Sequence, residues 1–442
     1  MASVANAQLG RELASIVGDE FVCDAAAPLT GYAIDGVRPA TWVIPQNANE
    51  VAAIVRVANE RRASIAVAGG FTKQSMGGVP AQIDILLRTD RLNRVLHYDP
   101  GDLTIGVESG CRIGDVVSRV GQDSLLLPLD VPRSQQASIG GVLASAAFGP
   151  LKHNFGGVRD YCIGISFVTG DGKIAKAGGR VVKNVAGYDV MKLMIGSQGT
   201  LGVIIAANFK LFAAPKQTRT FIAEFEDYSS AIKYRDTVRT SPLTPLCFEL
   251  ISPRANAYFD GITNERYSIV VRASGSDTVL ARYRKELGGS VSHELAGVEE
   301  TRFWKSVQDF GETVQKRHQN AMVFVLHLAP ATLEQVMVSA EQCGLEQNLL
   351  YCCVGRASVA SMVCAYVPLS VDPPAVTQFA NAIGELRKKL PPEASAIVLK
   401  CPREAKAYFS VWGEPNGDLE AMRAVKQALD PNGFLNPGRF LF

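Results

Sequence analysis

The chain has almost no charge imbalance: 45 Lys and Arg stand against 43 Asp and Glu over 442 residues. No broad positive field exists to draw in a polyphosphate backbone, so nucleic-acid binding is not expected. Long apolar runs are also missing. The longest uncharged stretch, Ser134 to Leu151, is rich in Gly and Ser and carries Gln135 and Gln136, and nothing reaches the roughly 18 to 20 apolar residues of a membrane span. The start has no basic segment ahead of an apolar one, and Arg11 and Glu12 break its weakly apolar opening, so no signal peptide is expected. The nine cysteines are odd in number, dispersed and without a C-x-x-C pair. That spacing suits neither a disulfide framework nor a thiolate cage for zinc or an iron–sulfur cluster, and no metal site is expected.

What the chain does have is apolar content, 47% of residues, enough over this length for two or three domains with cores of their own. It also has unevenly spread glycine. Of 40 glycines, 23 fall between Gly69 and Gly202, which marks that segment as the place where backbone must approach something closely. A strand at Thr41–Ile44 leads to a helix over about Ala48–Arg61, capped by Asn47 with Glu50 and carrying an apolar stripe of Val51, Ile54, Val55 and Ala58. A strand at Ser64–Ala68 then runs straight into Gly69-Gly70-Phe71-Thr72-Lys73-Gln74-Ser75-Met76-Gly77-Gly78. Further strands are expected near Ile83–Leu87, Leu103–Val107 and Cys162–Val168, the last closed by a hairpin at Asp171-Gly172.

Two phosphate motifs fail. No G-x-x-x-x-G-K-[ST] occurs, and Gly196-x-x-Gly199-x-x-Gly202 follows a helix and enters a strand, the reverse of a dinucleotide fingerprint. The Gly69–Gly78 loop still suits an anion, since small residues let successive amides converge and Thr72 and Ser75 add hydroxyl donors. A second constellation, Ser138-Ile139-Gly140-Gly141 followed by Gly149 and Gly156-Gly157, sits at an expected helix start, where amides are unpaired. Two amide-rich sites suit a two-ended ligand.

The series V-A-G-G-F-T-K-Q-S-M-G-G, L-P-L-D-V-P, S-I-G-G, V-R-D-Y, K-N-V-A-G-Y-D and G-S-Q-G-T-L-G-V-I, in this order over Pro39 to Pro215, resembles the FAD-binding domain of the vanillyl-alcohol oxidase/p-cresol methylhydroxylase superfamily. Within it, Gly178 to Asp189 and the terminal N-P-G-R at Asn436 to Arg439 look most like the subunit-E group of bacterial glycolate oxidases (glycolate dehydrogenases). The resemblance implies an α+β fold: a two-subdomain FAD domain over 1–215 (core 39–215), a smaller sheet-plus-helix α+β cap domain over 216–425, and a segment, 426–442, that returns to the flavin.

Carried over, it implies that Gly69, Gly70, Phe71, Thr72 and Lys73 wrap the FAD pyrophosphate, with Gly77 and Gly78 closing the loop. Pro128, Asp130, Ser138, Gly140 and Gly141 flank the flavin and ribityl chain, and Thr200, Gly202, Val203 and Ile204 meet the adenosine side. Arg439 stands as a cation near the reduced flavin. Phe71 lies where some relatives tether flavin through His, and Gln135 to Ser138 holds no Cys, so the FAD is expected to be non-covalent. Lys183 either attracts a substrate carboxylate or pairs with a surface acid, and Tyr188 and Asp189 read as structural.

The implied activity is that of an FAD-binding subunit of a glycolate or related 2-hydroxy-acid dehydrogenase, in the cytoplasm and peripheral to the inner membrane only through a complex. It passes hydride to FAD and exports electrons to a separate iron–sulfur subunit beside a paralogous flavoprotein subunit. Related catalytic subunits carry an H-x-x-D-G-N-x-H metal motif that His97, His153, His293, His318 and His327 do not reproduce, so no general base is assigned. A non-catalytic FAD-binding or assembly subunit and a stand-alone alcohol or hydroxy-acid oxidase remain the alternatives. His327, within an apolar strand, reads as a core residue, His318 as solvated, and His153 as close enough to the glycines to approach the flavin.

Overall fold

The computed structural model describes residues 2–180, 189–259, 265–359, 361–370, 375–415 and 417–441. Among these residues the strands form four sheets. The first joins Val22–Cys23, Thr41–Val43, Ile85–Arg88 and Ile65–Ala68, in that order, with the last three strands parallel. Ala48–Arg61 covers it. Asn47 accepts from the Glu50 amide at 3.0 Å, while Glu50 accepts from the Gln46 amide at 2.8 Å, one residue earlier than a capping box requires. Val51, Ile54, Val55 and Ala58 are all buried, as the helical spacing predicts.

The second sheet is antiparallel, in the order Val95–Asp99, Thr104–Glu108, Val203–Lys210, Cys162–Val168 and Ile174–Gly178. Its hairpin turns at Gly172, whose φ of +75° a glycine adopts freely.

The third large element is an antiparallel sheet of eight strands. Its order is Val291–Leu295, Thr218–Phe225, Tyr267–Ser274, Cys247–Ile251, Leu349–Arg356, Ser361–Pro368, Met322–His327 and Ser395–Lys400. Both faces are covered. Phe221, Phe248, Phe324 and Cys353 face a core with helices Tyr228–Thr240, Asp277–Leu287, Leu333–Leu345 and Val376–Lys389. Their strand neighbours Ile222, Cys247, Val323 and Cys352 join the opposite core, with Phe303, Trp304 and Phe310 of helices Gly297–Gln308 and Phe310–Arg317. Burial on both faces gives largely apolar runs in place of alternation, so Thr218–Phe225, Leu246–Ile251, Ser268–Arg272, Ala321–His327, Leu350–Val354 and Ala396–Lys400 read as strands from the sequence alone. Strand Ser361–Pro368 and helices Gly297–Gln308 and Phe310–Arg317 do not stand out.

After helix Leu419–Leu429 the chain returns to the first sheet. Leu435 bridges Ile65 in parallel, and the Asn436 side chain accepts from the Val67 amide at 3.0 Å and donates to the Gln198 carbonyl at 2.6 Å. One short segment thus ties the strand before the glycine loop to the Gly196–Gly202 turn. The whole is the α+β arrangement expected, C-terminal return included. Among the described residues no helix is long and apolar enough to cross a membrane.

Candidate cofactor and substrate site

The strand Ile65–Ala68 delivers the chain into the Gly69–Gly78 loop at the edge of a narrow cleft of about 80 Å³. Among the described residues, the amides of Gly70 through Ser75 have no hydrogen-bond acceptor within the chain. Phe71 takes a left-handed φ of 54°, so the backbone curls and presents consecutive N–H groups in one concavity. Unpaired amides so arranged form an anion nest.

The glycines serve packing as much as the ligand. A Cβ built on Gly69 would collide with Ser138 Oγ, and one on Gly70 with the Gln136 carbonyl oxygen. The two constellations therefore lie against each other, as a single two-ended ligand requires. The expected free amides at the helix Ile139–Ser145 are not free, however. The N–H of Ile139 donates to the Cys111 carbonyl at 3.0 Å, that of Gly140 to the Ser109 carbonyl at 2.7 Å, and that of Gly141 to Ser138 Oγ at 3.3 Å. This helix is seated on the strand end at Ser109, and burial requires that its first amides be satisfied by protein. Anion recognition thus falls to the Gly70–Ser75 amides, while Ser138, Gly140 and Gly141 form the cleft wall.

Arg439 is only 7% exposed, and its guanidinium is engaged. It donates to Asp35 at 3.0 Å, to the Gly78 and Gln74 carbonyls at 2.5 Å each, and to the Met76 carbonyl. Lys406 donates from the same side to Asp35 at 2.8 Å and to the carbonyls of Ser75 and Gly77 at 2.7 and 2.9 Å. Two buried cations sharing one buried carboxylate clamp the second half of the loop, and both sit below their ordinary pKa because burial disfavours their charge. Asp35 and Lys406 have no signal in the sequence, because they lie 371 positions apart.

Gly202 and Ile204 line the cleft with Gln198, Gly199 and Asn436. Thr200 and Val203 stand behind it: Thr200 donates to the Ser197 carbonyl at 2.6 Å and its own carbonyl accepts from Lys426 at 2.7 Å, while Val203 pairs with Val168. Pro128 and Asp130 also lie outside the lining. The Pro128 carbonyl accepts from Tyr161 at 3.0 Å, and the Asp130 carboxylate accepts from the Leu151 amide at 2.7 Å, with burial raising its pKa to about 7. Lys183 and Tyr188 fall outside the described residues.

Thr72, Lys73, Met76, Ser145 and Gln198 also border a second space, a cavity of about 800 Å³ between the loop and the large sheet. Its wall carries Lys73, Lys152, Arg159, Lys192, Arg356 and Lys400 against Asp160 and Glu312. Glu312 is paired with Lys400 at 2.6 Å. The Arg356 side chain, 2% exposed, stands 3.5 Å from the buried Glu249 and has no hydrogen-bond partner on Nε or Nη1 among the described residues. Burial lowers Lys73 and Lys152 to about 8 and His327 to about 4, and raises Glu249 to about 7.

His327 is half-buried on the cavity wall and not a core residue: it ends its strand, paired with Ser361 and Ser395. His318 is exposed, and His153, outside the lining, meets Ser358 through Nδ1 at 2.7 Å. Arg356, Lys152 and His327 are the site residues that sequence reasoning misses or misplaces. Among the described residues no group of three or more His, Cys, Asp or Glu side chains is placed to hold a metal.

A narrow cleft with an anion nest, opening into a wide cavity with apolar and cationic walls, fits the pyrophosphate and the ring system of FAD. Comparison with known proteins agrees. Residues 39–178 match the FAD binding domain family and residues 407–440 the C-terminal domain of FAD linked oxidases. The chain is 24% identical to glycolate oxidase subunit GlcD of Bacillus subtilis (strain 168), over 97% of this chain and 95% of that one. It is 29% identical to glycolate oxidase subunit GlcE of Escherichia coli (strain K12), over 78% and 84%. The fold superimposes on p-cresol methylhydroxylase with substrate bound at a TM-score of 0.78, with 16% identity over 98% and 96% of the two chains. The chain therefore carries an FAD binding domain and the C-terminal domain of FAD linked oxidases, shares its fold with p-cresol methylhydroxylase, and is an FAD-dependent oxidoreductase.

Proposed function

We propose that the chain oxidises a 2-hydroxy acid as the E-type FAD-binding subunit of a glycolate-oxidase-like complex. One observation carries the substrate class: Arg356, buried in the cavity wall without a hydrogen-bond partner on Nε or Nη1, faces the space that the FAD loop also borders. The carboxylate beside it, Glu249 at 3.5 Å, makes no hydrogen bond to it and has its pKa raised to about 7 by burial, so the guanidinium calls for a further anion, and a carboxylate matches its fork. Lys152 supports the same end of the cavity and holds its proton at neutral pH, while His327 is neutral there. FAD, when bound, supplies the acceptor for the hydride that leaves the hydroxyl-bearing carbon. Main-chain amides of the loop hold the pyrophosphate, the clamp of Arg439 and Lys406 on Asp35 holds the loop, and the apolar walls at Phe148, Phe310 and Val325 exclude water.

The FAD is held without a covalent bond: among the described residues no cysteine lines the cleft or the cavity, and Phe71 occupies the first loop. Electrons leave to a separate iron–sulfur subunit, beside a paralogous flavoprotein subunit. Relatives named as glycolate oxidase subunits support an assembly of more than one chain.

Anaerobic stopped-flow mixing of the isolated yellow chain with a panel of 2-hydroxy acids tests the reading, followed by mixing with oxygen. Flavin bleaching with slow reoxidation is expected. Bound flavin that no acid bleaches would make the chain a non-catalytic subunit, and rapid reoxidation would make it a stand-alone oxidase. Acid precipitation is expected to release the FAD; a yellow pellet would contradict non-covalent binding.

A further inference from the structure

The register of the large sheet sets its polar residues in one row. Glu249 is opposite Arg356, Arg356 opposite Ser361, Ser361 opposite His327, and His327 opposite Ser395. Lys152 joins this row from the FAD side, donating to Ser361 Oγ at 3.3 Å, and that oxygen lies 3.3 Å from His327 Nδ1. The Lys152 ammonium and Arg356 guanidinium stand 4.3 and 5.1 Å from the centroid of the Phe148 ring, which forms a floor between the two cations. Two residues further along the same face, about 7 Å away by strand rise, the row is Val325, Val363 and Ile397, paired in register and all lining the cavity, with Leu399 beside them. A charged row next to an apolar row on one wall is a template for a molecule with both characters.

We propose that the substrate is an amphipathic 2-hydroxy acid, its carboxylate held by Arg356, Lys152 and His327 and its aliphatic or aromatic side chain laid along Val325, Val363, Ile397 and Leu399. This rests on the 2-hydroxy-acid reading and narrows it. A two-carbon acid leaves the apolar row without a partner, and a second carboxylate laid on that row is desolvated against valine and leucine, Lys400 beyond it being already paired with Glu312. The Arg356 guanidinium, which meets Glu249 at 3.5 Å without a hydrogen bond, fixes which end of the molecule is anionic, and the register fixes the direction in which the rest extends.

Ligands lacking the 2-hydroxyl separate this inference from the oxidation itself. The FAD-loaded full chain is titrated with acetate, butyrate, hexanoate and phenylacetate, and with hexanamide, by calorimetry and by the shift in flavin absorbance. Kd is expected to fall roughly fourfold per methylene added, with hexanamide at least about tenfold weaker than hexanoate. Ile397→Ser and Leu399→Ser flatten the series and leave acetate unchanged. Arg356→Met weakens every acid at least about tenfold, and so does the double variant Arg356→Met, Glu249→Gln, which leaves no unpaired buried charge and so keeps the fold.

A Kd independent of chain length, or an amide as tight as its acid, overturns the proposal. If chain-length dependence holds but no 2-hydroxy acid bleaches the flavin, the amphipathic carboxylate site stands and the oxidation reading falls. If bleaching occurs without chain-length dependence, the reverse is true.

Discussion

The Gly69–Gly78 loop and the polar row of the large sheet face each other across one cavity, and they recognise their ligands by opposite means. The loop uses main chain: consecutive amides without acceptors among the described residues, a left-handed Phe71, and glycines whose absent side chains let Gln136 and Ser138 approach. The sheet uses side chains: Arg356, Lys152 and His327, drawn together by strand register and one helix. A nest of amides can be held only by fixing the backbone, so the structure invests a buried clamp in the loop. A receptor of side chains needs only the sheet, so its residues can change while the strands remain. The first surface suits an invariant cofactor and the second a variable substrate.

Breaking the clamp is expected to have the largest effect. Asp35→Ala leaves Arg439 and Lys406 buried without their shared anion, and a loss of about 3 to 5 kcal/mol of stability is expected, with faster FAD release. Denaturant unfolding and the dissociation rate of the flavin measure it; unchanged release would mean that the loop holds its shape without the clamp. Next is Gly70→Val. Its side chain collides with the Gln136 carbonyl and costs about 1 to 3 kcal/mol, and flavin occupancy, read from the ratio of visible to ultraviolet absorbance, is expected to fall even though the substituent points at protein and not at the phosphate site.

Smaller effects belong to the sheet. Burial beside Arg356 lowers Lys152 to about 8, so the ammonium that attracts a carboxylate is lost as pH rises through that value. Hexanoate affinity is expected to fall as pH rises, first as Glu249 ionises near pH 7 and then as Lys152 loses its proton near 8, and Lys152→Met should remove the second step only. The smallest change is a gain. Glu249 competes with the ligand for Arg356 and ionises only near pH 7, so Glu249→Gln is expected to tighten carboxylate binding a few-fold at pH 8 and hardly at all at pH 6. Equal tightening at both values would show that Glu249 is already ionised at pH 6, and no tightening at either that it stays neutral.

The two surfaces also differ in how far they can be read from the amino acids. The loop was legible because its ligand-facing groups are contiguous and because glycine spacing records close approach: Gly69, Gly70, Phe71, Thr72 and Lys73 all line the cleft. The same reasoning overreached at Gly140 and Gly141, whose amides look free in any helix start but are taken by Ser109 and by Ser138. It overreached at Asp130 too, where a polar residue among prolines turned out to hold the Leu151 amide. Arg439 was legible as a residue near the flavin loop, but its guanidinium is spent on Asp35 and three carbonyls. Arg356 and Lys152 left no trace, since a lone arginine at a strand end and a lysine in a short helix look like any solvated pair.

Composition, glycine placement and apolar periodicity, then, determined the α+β character, the helix over Ala48–Arg61, most of the strands of the large sheet and the loop that takes a dinucleotide. These follow from local steric and hydrophobic rules that act over a few residues. Only the tertiary structure decided which cations are free. Whether Arg439 or Arg356 meets a ligand depends on which carboxylates and carbonyls lie within about 3 Å of each, and those partners come from 35, 74, 76 and 78 in one case and 249 in the other. Charge pairing is settled by distances in space, and spacing along the chain does not encode them.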